Sequence, residues 1–140
     1  APMDMTVAKK KGREQLNDFR MIRKGAAPLS PEDTIEMREE SLGFLQRTLA
    51  EPFAGESVVV THHAPMAFSS PQQYIGGELS PCFASNLDAF IAASGACLWV
   101  HGHTHSNADM LFGRTRLVTR QRGYPGEATF AHFEPLVLDI

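Results

Sequence analysis

The chain has 140 residues, 43% of them apolar and 21% charged, with a formal net charge of −3 when histidine is neutral. That is one domain or part of one, with enough apolar material for a real core. The slightly acidic balance argues against general nucleic-acid binding, which needs a basic face. No run of about eighteen apolar residues exists to cross a membrane. The two cysteines, Cys82 and Cys97, sit outside any CxxC pair, which speaks for a reducing cytoplasm rather than a disulfide scaffold.

Residues 1–13 are polar and close on Lys9, Lys10, Lys11 and Arg13, so a solvated, mobile lead-in is expected there. Residues 14–24 read as a short helix turning Leu16, Phe19 and Ile22 inward, broken by Gly25 and Pro28. The next helix has clear start signals. Ser30 suits the N-cap, Pro31 the first helical position, and Asp33 completes a capping-box pattern. Ile35, Leu42, Leu45 and Leu49 then recur on one face, and Pro52 ends the run. Ser57 to Thr61, with three successive valines, reads as a strand covered on both faces.

Residues 64–84 form a long Pro-, Gly- and Ser-rich loop of the kind that often carries function. A helix follows, with Ser85 as expected cap, Leu87, Phe90 and Ile91 inward, and Gly95 as terminator. The segment "ACLWV" reads as a second buried strand. Met110–Phe112 and Arg116–Thr119 read as a hairpin turning at Gly113 and Arg114. A final strand is expected over Leu136–Leu138.

The histidines carry the chemistry. Five of the six lie just past the two apolar strands, in "VVVTHHAP" and "LWVHGHTHS". Burying imidazole is costly unless both ring nitrogens find partners, so so many at strand ends need a reason. If the strands are parallel neighbours, their carboxyl ends meet at one sheet edge, where α/β folds place their sites. Several neutral imidazoles sharing one space form a natural transition-metal site. His103 and His105, two apart, would fall on one side of an extended segment, with Gly102 allowing a sharp turn. His62, His103 and His105 are the candidate metal ligands. His63 is the candidate substrate contact or supporting hydrogen-bond partner, and His101 reads as packing. Arg122, in a late basic cluster with Arg114, Arg116 and Arg120, is the candidate for a substrate phosphate, against a plain reading as a solvated arginine.

With "THHAP", "GHTH" and "RGYPGE" together, the chain resembles the calcineurin-like metallophosphoesterases over roughly Phe19 to Ile140. The resemblance implies a two-metal site in a four-layer αββα sandwich. This chain would be the carboxyl-terminal half of that α/β fold, a mixed sheet with helices on one side. It implies hydrolysis of phosphate mono- or diesters by a metal-activated water. By the resemblance His62 and His103 would bind one metal and His105 the other.

The chain also departs from that family. None of its aspartates opens a DxH motif, no GDxxD exists, and no asparagine precedes a histidine. The family's first-half carboxylates are thus expected elsewhere, on a missing amino-terminal half lost by truncation, proteolysis or gene structure. Arg120 and Gln121 stand where the group carries an Asn-Pro-like pair. Three neutral histidines can hold one divalent metal (Mn, Fe, Zn or Ni) but not two adjacent dications. At most one metal and weak or no turnover are therefore expected of residues 1–140 alone. The alternative is a catalytically inactive half-domain that binds metal or a partner. Self-association, or pairing with the missing half, is expected in either case.

Overall fold

The computed structural model describes residues 5–72 and 75–140. The chain is a mixed α/β fold. Its elements are α1 (Met5–Gln15), α2 (Asp18–Met21), a small hairpin of β1 (Arg23–Lys24) and β2 (Ala27–Pro28), α3 (Pro31–Ala50), β3 (Val58–Thr61), α4 (Ser80–Phe83), α5 (Asp88–Ser94), β4 (Leu98–His101), β5 (Ala108–Phe112), β6 (Thr115–Thr119) and α6 (Ala128–Ala131). The main sheet has the order β3-β4-β6-β5. β3, β4 and β6 run parallel, and β5 returns antiparallel against β6.

The parallel register places Val59 beside Trp99 and Thr61 beside His101. The hairpin register places Met110 beside Leu117. Because side chains alternate across a sheet, Val59, Trp99 and Leu117 share one face. That face is the core: Val59, Trp99 and Leu117 pack with Met66, Ile91 and Ala96, and Leu45, Leu49, Leu87 and Phe90 of the helical side close over them. Trp99 is fully buried, and its Nε1 donates to Thr61 Oγ1 at 3.1 Å, so its one polar atom is satisfied.

The opposite face is open toward the sheet edges, while Leu98 and Val118 at its centre are buried. Val58 and Val60 of β3 and Leu111 of β5 point to solvent, the latter two at 72% and 73% exposure. The sequence expectation of a strand buried on both faces therefore fails for β3. It lies at the sheet edge, and helices cover only one of its faces. Between these residues, Arg116 Nη2 and Asp109 Oδ2 form an ion pair of 2.6 Å across the hairpin.

The α3 start follows its sequence signals. Ser30 Oγ accepts from the Asp33 N–H at 3.1 Å, and the Asp33 carboxylate accepts from the Ser30 N–H at 2.9 Å, a complete capping box. Ile35, Leu42, Leu45 and Leu49 form its half-buried stripe.

Other elements differ from expectation. Where a polar lead-in was predicted, Met5–Gln15 is helical, while residues 1–4 lie outside the described residues. Small residues explain the docking of α1: Ala8 and Gly12 are buried, and a Cβ added at Gly12 would stand 3.1 Å from the Phe19 ring and 3.4 Å from Cys82 Sγ. Ser85 does not cap α5; its hydroxyl accepts from Arg38 Nε at 3.3 Å, and Leu87 occupies the cap position. Gly95 does end that helix, at φ +70°. The 64–84 loop holds a 3-10 turn (Ala67–Ser69) and α4, with residues 73–74 outside the described residues. Residues 136–138 form no strand.

Candidate functional site: the histidine edge

The parallel pairing of β3 and β4 brings their carboxyl ends together, and the chain leaves both strands through histidines. The loops stay joined beyond the strands: Gly102 N–H donates to the His62 carbonyl at 3.0 Å. A Cβ at Gly102 would sit 3.6 Å from that oxygen, an ordinary contact, and Gly102 has no positive φ. The left-handed residues are the histidines themselves. Among the described residues, His103 (φ 70°) and His105 (φ 47°) are the non-glycine residues with positive φ. Each such conformation costs on the order of 1–2 kcal/mol for an L-residue. An extended HxH segment was predicted; the backbone instead turns at both residues and sends their rings to different neighbours.

His103 turns toward β3. Its Nδ1 lies 3.1 Å from His62 Nε2, and its ring centroid is 4.9 Å from that of His62 and 4.4 Å from that of His63. His62 and His63 meet edge-on at 5.2 Å. Phe83 of α4 flanks His103 at 5.2 Å. Desolvation, then repulsion from His63 and His62, pushes the His103 pKa down to about 4, against the pull of the Asp18 carboxylate and the Cys82 carbonyl. Burial and His62 likewise lower that of His63, and Asp18 again opposes the shift. The His63 and His103 rings are therefore suited to stay neutral and to offer lone pairs. Asp18, at the start of α2, is a nearby carboxylate that the sequence patterns did not mark.

His105 turns the other way. Its Nδ1 faces the Glu127 carboxylate at 3.2 Å from Oε1 and 3.0 Å from Oε2, and its ring meets Tyr124 at 4.5 Å. The structure thus brings together His62, His63 and His103, and engages His105 with Glu127 and Tyr124 of the "RGYPGE" segment.

Gln121 holds the histidine loop in this shape. The two N–H bonds of its buried Nε2 are shared among Thr104 Oγ1 at 2.8 Å, the Ser106 carbonyl at 3.0 Å and Thr119 Oγ1 at 2.6 Å. Its Oε1 accepts from the His105 N–H at 2.8 Å, and its own N–H donates to Asn107 Oδ1 at 2.9 Å. Sequence reasoning registered Gln121 only as a departure from a motif. A lone amide two residues past a strand carries no local signal of such a role.

His101 is buried at 4% exposure, with Nδ1 3.2 Å from the Gly102 carbonyl and Nε2 without a hydrogen-bond partner. Burial lowers its pKa. Arg122 lays its guanidinium over the Phe130 ring, 4.6 Å from the centroid, rather than toward the histidines. Cys82 and Cys97 are free thiols.

Among the described residues, no group of three or more His, Cys, Asp and Glu side chains is arranged to hold a metal ion. The donor chemistry fits a smaller unit. Two nitrogens bound tetrahedrally to zinc at about 2.0–2.1 Å lie roughly 3.3–3.4 Å apart, close to the His62–His103 separation. The pair thus offers a two-nitrogen fork, completed by neither His105 nor a carboxylate. No described helix is long and apolar enough to cross a membrane. Comparison with protein-family models, with curated proteins and with solved structures finds no match.

Proposed function

We propose that this chain supplies part of a metal-dependent phosphoesterase centre, hydrolysing phosphate mono- or diesters with a metal-activated water. The observation that carries the reading is the meeting of His62 Nε2 and His103 Nδ1 at 3.1 Å, beyond the ends of adjacent parallel strands. Two imidazole nitrogens at that distance are spaced to share one divalent ion (Mn, Fe, Zn or Ni). A metal held there would act as a Lewis acid and lower the pKa of a bound water. The chain's own part is to hold the two nitrogens, to place His63 beside them as a substrate contact, and to keep the edge partly dry with Phe83.

The remaining carboxylates would come from residues outside these 140, on the second half of a four-layer sandwich. The open sheet face with Val58, Val60 and Leu111 is the surface such a half would cover. Pairing with that half, or with a second copy, is proposed for the same reason, in a reducing cytoplasm. Arg122 would reach a phosphate only by leaving Phe130.

One observation favours a second reading, a catalytically inactive half-domain that binds metal or a partner: the described residues assemble two facing nitrogens and not a full ligand set. The deciding experiment titrates the chain with Zn²⁺ and Mn²⁺ by calorimetry and assays bis-p-nitrophenyl phosphate, with His103→Ala as control. One metal bound, with turnover abolished in the variant, supports the enzyme reading. Binding without turnover supports the half-domain. No binding at millimolar metal rejects both metal readings.

A further inference from the structure

Residues 134–140, "EPLVLDI", have the β-type composition of a strand, yet no strand pairs with them. Val137 is 88% and Ile140 68% exposed, and Leu136 is exposed as well. Among the described residues, their one hydrogen bond comes from Arg120 Nε, which donates to the Glu134 carbonyl at 3.0 Å. Three apolar side chains and a run of backbone groups thus stand in water. The main sheet has two edges on which such a segment could pair. β5 is guarded: it carries Asp109, paired with Arg116 beside it, and charge on an edge strand discourages pairing. β3 is unguarded. Its residues Val58–Thr61 carry no charge, β4 is its one neighbouring strand, and Val58 and Val60 are exposed. The outward N–H and C=O groups of such an edge can accept an added strand.

The side-chain pattern fits that edge. In an added strand Leu136, Leu138 and Ile140 fall on one face and Val137 and Asp139 on the other. The first set extends the covered face that holds Val59; Val137 joins Val58 and Val60, and Asp139 stays in solvent. Reach decides whose edge it is. The Arg120–Glu134 bond ties the segment near the end of β6, two strands from β3 in the order β3-β4-β6. A strand outside β3 of the same chain would lie three spacings of about 4.8 Å away, roughly 14 Å. Six extended residues span about 20 Å, so the crossing would leave about two residues to pair with β3. We infer that residues 135–140 are a donor strand that adds to the β3 edge of a second copy of this chain, each copy giving its strand to the other. Reciprocal exchange closes a two-fold dimer, a low-cost route to association. The inference rests on the pairing proposed above and not on its metal.

The test uses the 140-residue chain without metal. Light scattering after size exclusion should show a dimer that grows with concentration. Val137→Pro and Leu138→Pro each remove one backbone N–H. Successive N–H groups point to opposite sides of a strand, so one of the two variants loses a bond to β3. That variant should raise the dimer dissociation constant about tenfold or more. Contact is read separately by mixing ¹⁵N-labelled chain with unlabelled chain that carries a nitroxide at Asp139→Cys, in a Cys82→Ser and Cys97→Ser background. The amide signals of residues 58–61 in the labelled copy should broaden. A chain that is monomeric at every concentration overturns the inference. So does a dimer that neither proline weakens, or one whose broadening misses β3 or falls on Ala108–Phe112 instead. None of these readings involves zinc, so the calorimetric titration decides the metal reading on its own, and either can fail while the other stands.

Discussion

His62 and His103 are 41 residues apart in the chain, yet His62 Nε2 and His103 Nδ1 stand 3.1 Å apart. The contact exists because β3 and β4 are parallel neighbours in register, Thr61 beside His101, so that the next residues of both strands leave the sheet at the same edge. Without a metal, one of the facing nitrogens must carry a proton for the other to accept.

That crowding predicts a pH dependence. The folded-state pKa of His103 is lowered from the ordinary 6.5 to about 4, and that of His63 is lowered as well. Between these values the unfolded chain binds protons that the folded chain refuses, so stability rises with pH across the window. The contribution is fully present above about pH 6.5 and is lost as pH falls toward 4. Urea midpoints measured from pH 7.5 down to 4.5 should fall steadily. In His103→Gln the same series should be flatter; an equal slope would remove His103 as the cause.

Gln121→Ala should destabilise the fold by about 1–3 kcal/mol, measured by urea denaturation. The substitution removes the amide from Thr104 Oγ1, Thr119 Oγ1 and the half-buried His105 N–H. The two hydroxyls keep contacts to Ser106, so the His105 N–H is the group left without its partner, and an unpaired group costs about 1–3 kcal/mol before relaxation or water entry. It should also release the left-handed turn and broaden the backbone amide signals of residues 102–107. A change under 0.5 kcal/mol would show that water replaces the amide without loss.

Gly123→Ala combines two penalties. The position has φ +70°, and the added methyl would meet Glu127 Oε2 at 2.3 Å and Thr129 Oγ1 at 2.4 Å. The backbone alone accounts for about 1–2 kcal/mol. Because the carboxylate must move, the variant should also loosen the His105–Glu127 contact and shift the His105 ring ¹⁵N signals. Melting curves and the ¹⁵N spectrum check the two halves of this outcome separately.

Trp99→Phe should cost about 1–3 kcal/mol. It shrinks a fully buried ring and leaves Thr61 Oγ1 without its indole donor. Trp99→Ala should cost roughly 3–5 kcal/mol. Equilibrium unfolding followed by far-UV circular dichroism measures both, since the only tryptophan is removed.

Val60→Lys probes the open face. With Val60 72% exposed, the monomer should change by under about 0.5 kcal/mol. Light scattering after size exclusion should show the wild type associating with rising concentration, and the variant staying monomeric. A wild type that is monomeric throughout would remove self-association from the proposal.

The sequence by itself determined the features written in local chemistry. The capping box of Ser30 and Asp33 needs only neighbouring residues, as does the end of α5 at Gly95. The hydrophobic runs fixed the positions of β3 and β4, and with them the histidine-rich exits. Tertiary structure decided what depends on distant partners. Which face of β3 is covered follows from where the helices lie. Ser85 lost its capping role because Arg38 reaches it from α3. Above all, the fates of His103 and His105 were set by their neighbours. Spacing two apart implies a shared side only if the backbone is extended. Here Gln121 and Glu127, more than a dozen residues downstream, hold the loop in two left-handed turns and send one ring to His62 and the other to a carboxylate.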